Sequence, residues 1–399
     1  MKAEWNLEDG HLPVKFWVNP KSLSEDCWKQ LRNLRRLPFA VHHLAAMPDM
    51  HVGYGMPIGG ILATQDVVVP NAVGVDIGCG MIACRLGGMV IGAMRDHQEN
   101  LRALIQQAVP VGHKWHDKPC GVHEMPDLDL MGQVVNKQYE RALKQLGTLG
   151  GGNHFIEVQV DQHGDIWVMI HSGSRNLGKQ VADFYNNWAK QENEKNFSQV
   201  TPDSDLAFFR RGHKGYDEYM REMAYCIDFA KKSRAKMMLN ILKAFRAIWP
   251  GTCVTSHVDI CHNHAKMENH LGRNVLVHRK GAAGPYFGDA RGIIPGSMGT
   301  RSFIVSHTGE KMSFLSTSHG AGRPMSRTAA KKTLDLEAQR RLLDDLGVLH
   351  DLTSKTDLDE APGAYKDIED VMRNQADLCN VEYSLTPVLS IKAKSRRRR

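Results

Sequence analysis

Runs of β-branched and apolar residues predict strands at 61–69, 166–170, 274–278 and 302–305, and each run ends beside a polar cluster. Residues 216–247 carry the other period. There Tyr219, Met223, Ile227, Ala230, Met238, Ile241, Leu242 and Phe245 recur at three or four, which predicts a long amphipathic helix with its apolar stripe on the core. Further helices are predicted near 97–108, 134–146, 178–195 and 328–347, whereas 80–92 and 281–299 read as loops. Strands and helices come in mixed order with no βα alternation. The expected fold is therefore α+β, a single large domain of mixed and antiparallel sheets flanked by helices, rather than a doubly wound sheet. With no repeat and no linker, one domain is expected over 1–392, followed by a basic tail at 393–399 without ordered structure.

At 399 residues the chain can bury a sizeable core, and its 42% hydrophobic content is that of a globular protein. No run of about 18 apolar residues is present to span a bilayer. The start, Met1-Lys2-Ala3-Glu4-Trp5-Asn6, has no apolar signal-peptide region, so a cytoplasmic location and no membrane partner are expected. The eight cysteines include no C-x-x-C pair, which argues against a zinc ribbon and a disulfide framework. The net charge of +7 suggests nucleic acid, yet residues 391–399 supply six positive charges and no negative ones. Subtracting those six leaves +1 for residues 1–390, so any RNA-binding argument rests on local clusters. The 20 histidines raise the expectation of metal or phosphate chemistry.

Chemistry concentrates in six places. In Gly74-Val75-Asp76-Ile77-Gly78-Cys79-Gly80-Met81, glycines let a carboxylate and a thiol three positions apart aim at one point. With imidazoles from elsewhere, that set suits Mn, Fe, Zn or Co better than Mg or Ca. A buried Asp capping a turn beside a core Cys is the plain alternative. The glycine cluster 147–152 leads into Asn153-His154-Phe155-Ile156-Glu157, a base reader, a ligand and an acceptor together, and it lacks the Gly-Lys-Ser/Thr of a P-loop. His171-Ser172-Gly173-Ser174-Arg175 delivers an imidazole at a strand end with a guanidinium one turn later. His262-Asn263-His264, with Lys266 and Glu268, reads as a helix start; His262 is the candidate ligand, and His257, His264 and His270 read as surface residues. Ser318-His319-Gly320-Ala321-Gly322-Arg323 leaves an accessible imidazole suited to attack a phosphoryl group, with Arg323 holding the departing charge. A glycine-rich anion loop in which His319 only hydrogen-bonds is the alternative. Asp49, in Met47-Pro48-Asp49-Met50-His51, serves either as a general base or as a group that orients the metal ligands from behind.

Taken in order, these motifs together with Pro295-Gly296-Ser297-Met298-Gly299 closely resemble the RtcB family of RNA ligases, from about residue 13 to Lys392. The resemblance implies an RtcB-like fold and the joining of RNA 3′-phosphate or 2′,3′-cyclic phosphate ends to 5′-hydroxyl ends. It implies GTP and two Mn²⁺ per active site, a covalent histidine–GMP intermediate, and a place in tRNA splicing or RNA repair. Carried over by position, it assigns Asp76, Cys79 and His154 to one manganese, and Cys79, His171 and His262 to the other, with Cys79 bridging. Two cations about 3.5–4 Å apart clamp the attacking and leaving oxygens of an in-line displacement. His319 matches the guanylated nucleophile, and Asp49, Arg175 and Arg323 complete the catalytic set. Nucleotide contacts fall on Asn153, His154, Phe155, Ile156, Glu157, His262, Asn263, Pro295, Gly296, Ser297, Met298, Ser302, Gly320, Ala321, Gly322, Tyr365 and Lys392. Arg175, Lys280 and Arg323 are assigned to RNA phosphates, and the implied partners are tRNA halves or cleaved RNA, with room for an accessory activating protein. One departure stands out: the segment after Ala282 reads Ala283-Gly284-Pro285-Tyr286, and the nearest Arg is Arg291 where the family carries one sooner.

Two rival functions remain open from the residues. A metal-dependent phosphodiesterase would open cyclic phosphates without joining them and would not need His319. A non-catalytic RNA-binding protein would rely on the arginine tail and the glycine loops, with strongly salt-dependent affinity.

Overall fold

The structure, a computed structural model, describes residues 1–5, 10–88, 91–200, 202–285 and 290–394. Tyr286 and the last five residues of the basic tail lie outside the described residues. Strands of the first half are β1 (Ala3–Trp5), β2 (Val14–Phe16), β3 (Ala40–Tyr54), β4 (Met56–Thr64), β5 (Val67–Val68), β6 (Gly80–Gly87), β7 (Phe155–Asp161) and β8 (Ile166–Ser172). The second half adds β9 (Phe209–Arg210), β10 (Cys253–Cys261), β11 (Asn263–His270), β12 (Arg273–Lys280), β13 (Ala282–Ala283), β14 (Arg291–Ile294), β15 (Ser302–His307), β16 (Thr317–Ser318) and β17 (Cys379–Lys392). They form a six-stranded sheet, β1-β2-β3-β4-β12-β11, a seven-stranded sheet, β10-β6-β8-β7-β17-β15-β14, and two small pairs. Among the named pairings only β2–β3 is parallel, so the α+β expectation of mixed, largely antiparallel sheets with flanking helices holds.

The long helix Lys214–Ile248 forms where the periodicity places it, with the His213 side chain accepting from Gly215 N at its start. Its C-terminal half packs Met237, Met238, Ile241, Leu242 and Phe245 on Ile82, Leu86, Val158, Val168 and Ile170 of the seven-stranded sheet. Each such fully buried side chain contributes about 1.5–3 kcal/mol, enough to hold the sheet rigid beneath a site at its edge. The N-terminal half packs Tyr219, Met223 and Phe229 against Leu177, Val181 and Tyr185 of helix Arg175–Lys195.

Four local expectations are corrected. The run 61–69 is two strands, because Asp66 adopts φ +52° and turns the chain between them. The helix expected over 328–347 is Arg327–Thr333 followed by Leu336–Asp345; Leu334 is extended and the Asp335 side chain caps the second helix by accepting from Ala338 N. The loops expected at 80–92 and 281–299 contain β6, β13 and β14, whose glycines sit where strands pass closely. A Cβ on Gly80 would lie 2.1 Å from the Ile260 carbonyl. Residues 263–270 form no helix start but β11, paired along its length with β12. His264 and His270 are accordingly 1% and 4% exposed, and His270 Nε2 lies 2.7 Å from Glu268 Oε2, whose carboxylate also takes the buried Arg279. His257 is exposed, as read from the sequence.

One edge of the seven-stranded sheet collects the metal-ligand candidates. β6 begins just after Cys79, β7 just after His154, β8 carries His171 at its penultimate position, and β10 ends just before His262. Register brings them level: Gly80 pairs with both Cys261 and Ser172, and Phe155 pairs with His171. At His262 the chain leaves this sheet for β11 of the other, so the candidate site sits where the two sheets meet.

Candidate active site

Cys79 Sγ lies 3.2 Å from His171 Nε2 and 3.6 Å from His154 Nε2, and all three residues are buried. Asp76 Oδ2 is 3.0 Å from His154 Nε2, and His262 Nε2 is 3.4 Å from His171 Nε2. Of the five residues that sequence assigned to metal, Cys79, His154 and His171 bring their ligand atoms within 4.8 Å of one another, while Asp76 adjoins this set at His154 and His262 adjoins it at His171. Their other faces are fixed: His154 Nδ1–H donates to the Leu149 carbonyl and His171 Nδ1–H to the Asn153 carbonyl, which leaves each Nε2 lone pair aimed at the cluster. Burial pushes His171 and His262 well below the usual imidazole range, so both are neutral and able to ligate. Burial, followed by the neighbouring Asp76, pushes the Cys79 thiol well up. A carboxylate, a thiol and three imidazoles with converging lone pairs repel one another without a cation, and this donor set fits a borderline divalent metal. Gly173 makes room for the carboxylate, since a Cβ there would lie 2.2 Å from Asp76 Oδ1.

His319 follows β16, which pairs with β13 and swings the chain over the cluster. Its ring centroid lies 4.8 Å from that of His262. Asp49 faces His319 rather than the metal ligands it was expected to orient: its Oδ2 accepts from His319 Nδ1 at 2.6 Å and from His319 N at 3.2 Å. The imidazole is mostly enclosed, with 14% of its side chain exposed, rather than freely accessible as its glycine neighbours suggested. Gln375, which no sequence signal marked, holds the preceding residue from both sides: its Oε1 accepts from Ser318 N at 3.0 Å and its Nε2 donates to Ser318 Oγ at 2.7 Å.

His319 opens on a cavity of about 1230 Å³. Of the assigned nucleotide residues, Asn153, Phe155, Glu157, Pro295, Gly296, Met298, Gly320, Ala321, Gly322, Tyr365 and Lys392 line it, as do His171 and Arg323. β17 delivers Lys392 opposite Phe155 and Ser390 opposite Glu157. Burial raises the Glu157 carboxyl to about 7, partly offset by Lys392 and by bonds from Ser390 and Gln159. Strand alternation turns Ile156 away from this cavity and into the core beneath the long helix. Asn263 spends its amide on backbone, donating to Asp76 O at 3.0 Å and accepting from Gly281 N at 2.8 Å. Ser302 Oγ accepts from Gly296 N at 3.2 Å, and Ser297 Oγ lies 3.0 Å from Thr300 Oγ1, so both shape the 295–300 turn.

The three cations assigned to RNA phosphates are differently placed. Arg323 donates to Glu360 Oε1 at 2.7 Å and to Tyr365 Oη at 2.9 Å. Lys280 is buried and donates to the carbonyls of Tyr54 at 2.6 Å and Asn71 at 3.1 Å, and burial lowers it to about 7. Arg175, at φ +61°, packs behind the ligands and approaches Thr148 Oγ1 at 3.4 Å and His154 Nδ1 at 3.5 Å. Sequence reading also missed Glu360. Burial raises its carboxyl, but Lys392, Arg327 and Arg323 outweigh that and hold it near 2. Lys392 Nζ is 3.0 Å from its Oε2. Arg291 donates to Ser256 Oγ and the His257 carbonyl, away from the cavity lining.

A family described as tRNA-splicing ligase RtcB matches residues 30–130 and 125–393. The RNA-splicing ligase RtcB of Escherichia coli (strain K12) is 38% identical over 408 aligned residues, which cover 97% of this chain and 98% of that protein. The tRNA-splicing ligase RtcB of Nanoarchaeum equitans (strain Kin4-M) is 31% identical over 460, covering 96% and 95%. No helix among the described residues is long and apolar enough to cross a membrane.

Proposed function

The chain belongs to the RtcB family of RNA-splicing ligases, and from that premise we propose that it is a GTP- and manganese-dependent ligase. It joins RNA 3′-phosphate or 2′,3′-cyclic phosphate ends to 5′-hydroxyl ends, in tRNA splicing or RNA repair. The observation that carries this reading is the 2.6 Å contact of His319 Nδ1 with buried Asp49, beside the thiol–imidazole cluster. A phosphodiesterase that only opens cyclic ends would use such a histidine as a general acid or base and form no covalent guanylate, which is the difference that labelled GTP reads.

Asp49 accepts from Nδ1–H and so keeps the Nε2 lone pair free for attack. His319 attacks the α-phosphorus of GTP: a P–N bond forms, the bond to the bridging oxygen breaks, and pyrophosphate departs. An oxygen of the RNA 3′-phosphate then takes the guanylyl group, which breaks the P–N bond and restores His319. The 5′-hydroxyl finally attacks the activated RNA phosphorus, giving up its proton as GMP leaves. A cyclic end is first hydrolysed to the 3′-phosphate. Manganese ions held by Asp76, Cys79, His154, His171 and His262 would supply the positive charge that stabilises the phosphoryl oxygens. Glu157, Phe155, Tyr365 and Lys392 form the guanine end of the cavity in this reading, and the tRNA halves or cleaved RNA enter from its open side.

Incubation with GTP labelled in its α-phosphate tests the proposal. The expected result is an acid-labile guanylate on the wild-type protein and none on His319→Ala. The reading is lost if no such adduct forms, or if His319→Ala forms it undiminished.

A further inference from the structure

Three of the four strands that end at the cluster are tied together from behind by one residue. Arg234 lies in the middle of helix Lys214–Ile248 and is 2% exposed. Its Nη1 donates to the Gly78 carbonyl and to the Ser172 carbonyl, both at 3.2 Å. Its Nε and Nη2 reach Asp259 Oδ1 at 2.9 and 2.7 Å. Gly78 is the residue before Cys79, Ser172 the residue after His171, and Asp259 lies on β10 three residues before His262. A planar fork with several donors at fixed angles can hold three strands at once, which a lysine ammonium cannot. The approach is tight: a Cβ on Gly80 would sit 3.0 Å from Arg234 Nη1.

We propose that Arg234 is a positioning residue for the metal cluster, its guanidinium fixing the ends of β6, β8 and β10 so that Cys79, His171 and His262 converge on one point. The proposal rests on the reading that these residues hold a divalent metal. Removing the fork leaves the fold's large apolar contacts in place but frees the strand ends to shift, and a cluster of ligands placed by its supporting shell loses affinity when that shell loosens.

The test is a Co²⁺ titration of the full chain, followed by the thiolate-to-cobalt absorption, for wild type, Arg234→Lys, Arg234→Met and Asp259→Ala, with thermal unfolding of each. Arg234→Lys, which keeps the charge but not the fork, is expected to unfold near the wild-type temperature while binding Co²⁺ about 10- to 100-fold more weakly, and Arg234→Met to bind at least as weakly. Should Arg234→Met fail to fold, Arg234→Lys decides; should that also fail, Asp259→Ala does, since it removes the oxygen that aims the guanidinium and is expected to weaken Co²⁺ binding in the same direction. Wild-type affinity and an unchanged thiolate band in the folded variants overturn the proposal, as does a lowered unfolding temperature with no change in affinity. A wild-type protein without the thiolate band removes the metal reading itself and this proposal with it, whereas a wild-type band with unaltered variants removes the proposal alone.

Discussion

Replacing Asp49 by Asn isolates the charge that faces the nucleophile. Asp49 is fully buried, and a single oxygen, Oδ2, accepts from both His319 Nδ1 and His319 N. The amide nitrogen cannot take that place, because it would meet the backbone N–H as donor against donor. The Asn oxygen therefore stays on His319, the tautomer is kept, and what disappears is the negative charge. As the P–N bond forms, positive charge develops on the imidazole, and the carboxylate stabilises it. At an effective dielectric of about 20, unit charges about 4 Å apart interact by about 4 kcal/mol, which corresponds to about a thousandfold in rate. Single-turnover guanylylation at saturating GTP should accordingly slow about a thousandfold in Asp49→Asn, while Co²⁺ binding stays as in wild type because Asp49 lies outside the ligand cluster. Adduct formation within about threefold of wild type would show that Asp49 serves only to pack the strand.

The ligands were legible from their local motifs, a carboxylate, thiol or imidazole set beside glycine, serine or asparagine, rather than from the strands that carry them: of β6, β7, β8 and β10 only β8 shows as a β-branched run, and β6 reads as a loop. The long helix was legible from its period, since one apolar stripe faces both cores. β11 was not, because Asn263-His264-Ala265-Lys266-Met267-Glu268-Asn269-His270 buries its polar side chains against Arg279 and presents Met267 to solvent, the reverse of an ordinary alternation. Glu360 and Gln375 escaped notice for another reason. Their roles exist only through residues far along the chain, Lys392 and Arg323 for one and Ser318 for the other, and no local pattern records such a partner. That Asp49 faces His319 shows only when β3 and the segment after β16 are seen side by side, 270 positions apart in sequence.

Gly150 and Glu157 give two further expectations. Gly150 has φ +91°, and a Cβ there would fall 1.7 Å from Arg175 Nη1, so Gly150→Ala should cost about 1–3 kcal/mol in denaturant unfolding and push Arg175 off its neighbours; an unchanged midpoint would contradict this. Glu157 predicts a pH dependence of nucleotide binding. Guanine presents an N–H and an amino group, both donors, so only the ionised carboxylate can accept from them. Burial has raised Glu157 to about 7, and the acceptor is therefore present above that pH and lost as pH falls through it. The GTP dissociation constant should be flat above about pH 7 and rise toward tenfold per unit below it. Glu157→Gln keeps an acceptor oxygen but has no proton to gain, so it should bind more weakly at about pH 8 and show no rise down to about pH 6. Metal-free titration of GTP across that range checks both, and a wild-type affinity that does not change with pH would remove Glu157 from the guanine edge.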